Sequence, residues 1–118
     1  MLERFLDMAV RSLRIATALP KSILAKLVAL QFFRAATSGG ANYCEACGAE
    51  SAQDFAHKLQ VVIKALRETD FRVKLIARSG MIGEARLKDF QQEVNELTAL
   101  CVSTVETVKS NRGARRDR

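Results

Sequence analysis

Apolar residues recur along the chain at steps of three and four, the spacing that gathers side chains on one side of a helix. The first set is Leu2, Phe5, Leu6, Ala9, Leu13 and Ala16, interleaved with Glu3, Arg4, Asp7, Arg11 and Arg14. Leu19-Pro20-Lys21 interrupts it, because proline disfavours a helical conformation in the residue before it and suits the first turn of a new helix. A second helix is predicted from Ser22 to about Cys47, and Gly48-Ala49-Glu50 ends it. Ser51-Ala52-Gln53-Asp54 then reads as a helix start, with the Ser51 hydroxyl accepting from the Asp54 amide and Asp54 at the positive end of the helix dipole. Phe55, Leu59, Val62, Leu66, Thr69, Val73 and Ile76 form a seam that should close near Ser79-Gly80. After Met81-Ile82-Gly83, a matching seam runs through Leu87, Phe90, Val94, Leu97, Cys101, Thr104 and Val108.

Two such seams pack side chains into each other's gaps. Connections this short make successive helices antiparallel, so the predicted fold is all-α: an antiparallel, up-down-up-down four-helix bundle over residues 1–110. Composition agrees, with one proline, no tryptophan and six glycines in 118 residues, a length that suits a single core. No alternating strand pattern of useful length is present.

The second helix differs from the others. Between Lys26 and Glu45 its only charge is Arg34, and apolar or small residues occur all round it. A helix of that kind is buried on several sides, more than a single four-helix bundle provides, so a further surface is expected to be covered by another copy of the chain.

Charge changes the picture at the end of the chain. Half of the net charge of +6 falls in residues 111–118, where Arg112, Arg115, Arg116 and Arg118 face only Asp117. That segment has no large apolar side chain to bury and reads as a basic, disordered tail suited to phosphate contacts. Three cysteines, an odd number without a recognisable export leader, point to a reducing cytoplasm. Charges recur through residues 1–18, so no membrane span is expected there.

The run Arg34-Ala35-Ala36-Thr37-Ser38-Gly39-Gly40-Ala41-Asn42, with Glu45 and Gly48, closely resembles the second-helix signature of the 23S rRNA intervening-sequence proteins. Leu19-Pro20, the Ser51, Asp54 and Phe55 helix start, Ala65-Leu66-Arg67-Glu68-Thr69 and Gly80-Met81-Ile82 fall where that family places its landmarks, and the resemblance covers about residues 5–108. Gly39, Ala46, Ala49 and Arg72 depart from the usual pattern, Arg72 standing where an aromatic is frequent. The resemblance implies a four-helix bundle assembling into a ring, typically a homopentamer, with no established enzymatic activity. Accessory proteins of diversity-generating retroelements, which bind a reverse transcriptase and nucleic acid, are among the relatives it implies.

The candidate chemistry is sparse. Gly39-Gly40 inside a helix costs about 1 kcal/mol per glycine relative to alanine, and close helix approach is the expected compensation. No strand precedes this pair and no Gly-Lys-Ser/Thr follows, so it does not read as a phosphate loop. Ser38, Asn42 and Glu45 line one stripe and, with Arg34 and Glu68, are expected to form a satisfied polar network between helices or between subunits. No nucleophile or histidine accompanies Glu45, so an enzyme is not expected.

Cys44 and Cys47 form a Cys-x-x-Cys pair that with Cys101 and His57 could in principle complete a zinc shell. Their placement on helices favours packing, and neither a metal nor a cofactor is expected. Arg11, Arg14, Lys21, Lys64, Arg67, Lys74 and Arg78, together with the tail arginines, are the candidate nucleic-acid contacts. Lys64–Glu68 and Asp70–Lys74 spacings also allow ordinary pairing along the helix. The resulting expectation is a basic homo-oligomeric scaffold for RNA or single-stranded nucleic acid. The alternative is a protein-interaction module, such as the accessory subunit of a reverse transcriptase.

Overall fold

The computed structural model describes residues 1–116, the side chains of Arg112 and residues 114–116 excepted. Four helices follow in order: α1 Leu2–Ala18, α2 Ile23–Ala46, α3 Ala52–Ser79 and α4 Glu84–Arg116. Among the described residues there is no strand, and the protein is an antiparallel, up-down-up-down bundle. Gly39 of α2 meets Leu66 of α3, and farther along Gln31 meets Arg72, so the two helices run in opposite directions. The same holds for α1 and α4, where Arg4 reaches Glu93 and Arg11 lies over Phe90.

Each boundary has a local cause. Leu19 is extended before Pro20, and α2 begins only at Ile23, where Ser22 caps it by accepting from the Ala25 amide at 3.3 Å. Pro20 therefore precedes the cap and does not lie in the first turn. Ser51 accepts from the Asp54 amide at 3.0 Å, and Asp54 accepts in return from the Glu50 amide at 3.2 Å. Gly80 ends α3 with φ of 76°, a left-handed conformation that costs glycine least.

α4 runs on to Arg116, past residue 110 where the bundle was expected to stop. Alanine and arginine are good helix formers, so Gly113 alone does not end the helix. Arg118 lies outside the described residues, as do the side chains of Arg112, Arg115 and Arg116.

The core forms between the two expected seams. Leu59, Val62, Leu66, Thr69, Val73 and Ile76 of α3 are buried against Leu87, Phe90, Val94, Leu97 and Cys101 of α4, while Phe55, Thr104 and Val108 are half-buried. Phe32 of α2 meets Phe90 edge-on at 5.4 Å. α1 presents Phe5, Met8 and Ser12 to the core, not the whole expected set. Leu2, Leu6 and Leu13 face outward, because this helix carries apolar residues on two overlapping stripes and only one can point inward.

Candidate nucleic-acid interface and apolar face

The glycine pair is a contact point. A Cβ on Gly40 would lie 3.3 Å from Phe5 Cβ and 3.8 Å from Phe5 backbone, whereas one on Gly39 would meet only side-chain atoms at 3.7–3.9 Å. Phe5 is further fixed by stacking on Tyr43, centroids 4.9 Å apart. Close approach of α1 to α2 is thus what offsets the glycine, and Gly40 is the one that requires it.

The expected five-residue polar network does not assemble within one chain. Asn42 donates to Ser38 Oγ at 3.1 Å and to the Ser38 carbonyl at 2.9 Å. Arg34, Glu45 and Glu68 are exposed. Glu68 pairs with Arg72 at 3.2 Å, one turn along its own helix, so it is not free to reach α2. Arg72 itself crosses to α2, donating to Gln31 Oε1 at 2.9 Å. This bridge from the atypical Arg72 was not foreseen; an arginine beside an uncharged amide carries no sequence signature of its own.

The basic candidates separate into groups. Lys74 is held by Asp70 at 2.8 Å, as the spacing allowed, whereas Lys64 and Arg67 are exposed and make no ion pair among the described residues. Lys21 donates to the Thr17 carbonyl at 3.3 Å, at the end of α1. Arg11 lies 5.9 Å over the Phe90 ring and 3.8 Å from Asp7. Arg14 is exposed beside it in a groove between α1 and α4 to which α4 contributes Arg86. Lys74 and Arg78 line a second groove, between α3 and α4, to which α4 contributes Lys88. Arg86 and Lys88 were missed because residues 80–110 carry five carboxylates against three basic side chains, and a stretch-by-stretch charge balance hides the two.

The cysteines part company. Cys101 is buried, and burial pushes its thiol up to about 11, while Cys44 and Cys47 lie on the surface. Among the described residues no three His, Cys, Asp or Glu side chains gather as metal ligands would.

The outer side of the α1–α2 pair carries large exposed apolar side chains from both helices. Ile23, Leu24, Leu27 and Leu30 of α2 are 86%, 71%, 49% and 54% exposed, and Leu2, Leu6, Val10 and Leu13 of α1 are also open to solvent. Between the helices lies a groove of about 330 Å³ with Leu2, Leu6 and Ala9 on one wall and Thr37, Ala41 and Cys44 on the other. A smaller apolar set, Val61, Phe71 and Leu75, is exposed on α3. Among the described residues no helix is long and apolar enough to cross a membrane.

The architecture defines a small up-down-up-down helical bundle with a basic surface and an apolar flank. Within that class the chain belongs to the 23S rRNA-intervening sequence protein family, whose profile matches residues 1–103. A solved structure from Bacteroides thetaiotaomicron, described as a protein of unknown function from the S23 ribosomal protein family, is similar to it. The two share 28% sequence identity with a TM-score of 0.81, over 88% of this chain and 96% of that one. No curated protein matches the sequence.

Proposed function

We propose that this chain is a non-enzymatic scaffold of five identical copies in a ring, which binds RNA or single-stranded nucleic acid through basic surface charge. The observation that carries the assembly is the apolar flank of α1 and α2. Large apolar side chains exposed this broadly on one flank mark an interaction surface. A ring needs two different surfaces that fit each other, and the Phe71–Leu75 set on α3 offers a second. Arg34 and Glu45 lie on the same outer stripe of α2 as Leu27 and Leu30, where they can pair with another copy and complete the polar network between subunits.

The nucleic-acid half rests on charge. Five copies at +6 each give the ring +30. Contacts that are weak singly then act together along one strand, provided several copies engage it. The tail arginines Arg112, Arg115, Arg116 and Arg118 would add phosphate contacts without reading bases. Binding should show little sequence preference and weaken steeply with salt. Titrating a labelled oligonucleotide at low and at high salt checks this, and an affinity that does not change with salt contradicts it.

A partner-binding ring, such as the accessory subunit of a reverse transcriptase, uses the same apolar flank differently. Monomers in solution that assemble only with such a protein would favour it.

A further inference from the structure

The first turns of α4 lie between two grooves, one shared with α1 and the other with α3. Arg86 and Lys88 are two residues apart, about 200° around a helix, so they leave α4 on opposite sides. On one side Arg86 faces Arg11 and Arg14 across a groove of about 210 Å³ floored by Ile82 and Phe90. On the other, Lys88 shares a groove of about 550 Å³ with Lys74 and Arg78. Among the described residues Glu84 is the one carboxylate that lines either groove. Of these six cations, only Lys74 and Arg11 have a carboxylate within 4.0 Å among the described residues, and the Arg11–Asp7 approach is loose at 3.8 Å. Packing of the bundle does not call for cations from separate helices to face one another. Each such meeting raises the local potential and is relieved by a bound anion.

We propose that these grooves are the phosphate track of the chain. A single strand of RNA or DNA crosses the first turns of α4, with one phosphate between Arg14 and Arg86 and a later one between Arg78 and Lys88. The two positions lie about 10–12 Å apart, the width of a helix with its side chains. A flexible single strand reaches both by bending over α4, whereas a duplex, stiff over about 50 nm, can do so only by taking the α4 ridge into its major groove. The apolar floor of the α1 groove is already buried, so recognition is of phosphates and not of bases. This assignment rests on the nucleic-acid half of the proposed function and gives it a place on the molecule.

The test is fluorescence anisotropy of the full-length protein with a labelled oligouridylate of about 20 nucleotides at about 50 mM salt, with a duplex of equal length beside it. Three double variants are compared: Arg14→Glu with Arg86→Glu, Arg78→Glu with Lys88→Glu, and, at the far end of the bundle, Lys58→Glu with Lys109→Glu. Each lowers the net charge of +6 by four. Either groove pair should weaken binding at least tenfold and reduce the salt slope by about 0.7 for each phosphate no longer neutralised, while the distant pair costs under threefold. Circular dichroism and native mass confirm that each variant keeps its fold and assembly, and Arg14→Gln with Arg86→Gln, which adds no negative charge, should weaken binding in the same direction.

Equal losses in all three double variants, or groove variants that bind like the parent, would overturn the track while leaving nucleic-acid binding in place. Duplex bound more tightly than single strand would also overturn it. A parent protein that binds neither probe would remove the nucleic-acid reading together with the track.

Discussion

Two adjacent glycines occupy different environments, and alanine should report the difference. At Gly39 an added methyl makes ordinary contacts, so Gly39→Ala should stabilise the fold by about 0.5–1 kcal/mol through helix propensity. At Gly40 the methyl meets a Phe5 Cβ that stacking holds in place, and α1 must shift. Overpacking costs about 1–3 kcal/mol, so Gly40→Ala should be neutral to destabilising by about 2 kcal/mol. Urea unfolding of both variants checks the order. The cysteines give a second reading of environment. Cys47 should react at once with a thiol reagent near neutral pH, whereas Cys101, buried and with its thiol pushed up to about 11, should react only after denaturation. Peptide mapping of the labelled protein checks this. The need for close packing at the glycines was legible in the sequence, because a helix tolerates glycine best where backbones meet. The polar network was not: Glu68 had partners at equal helical spacing on both sides, and only the fold shows that Arg72 takes it while Lys64 does not.

The helices depend on one another unequally. α1 packs chiefly on α2 and only lightly on α4, and its link to α4 is electrostatic: Arg4 pairs with Glu93 and also reaches Glu96 at 2.9 Å. Hydrogen bonding from the Arg4 guanidinium, opposed by partial burial, holds the Glu93 carboxyl below its ordinary value of 4.5. A carboxylate depressed in the folded state contributes stability that is present above its unfolded pKa and lost as pH falls through its folded one. Thermal stability should therefore drop below about pH 4.5, and Glu93→Gln should flatten that drop while lowering stability at neutral pH. Melting curves of both proteins at pH 3 to 7 would show it, and parallel profiles would contradict it. The seams of α3 and α4 were legible because each helix carries one unambiguous stripe. α1 was harder to read, since Met8 and Ser12 go inward while Leu6 and Leu13 go outward, a choice set by the neighbour and not by the spacing. The continuation of α4 to Arg116 likewise follows from residues that tolerate a helix without announcing one.

For the molecule as a whole, an almost uncharged second helix called for more cover than one bundle gives. In the single chain the exposed apolar side chains lie on the outer stripe of α2 and the adjoining side of α1. Charge on Leu27 and Leu30 tests whether that stripe is covered, since both are already half exposed in the single chain and neither belongs to the core. Leu27→Glu with Leu30→Glu should leave the helical content and unfolding of the subunit nearly unchanged while breaking the assembly. The most direct measurement is the mass of the unmodified protein in solution by light scattering behind a sizing column. Five copies of a 13.1 kDa chain should elute as one species of roughly 66 kDa, and the double variant as the single chain. An unmodified protein that elutes at 13.1 kDa across working concentrations would contradict the ring and leave the apolar flank without its occupant.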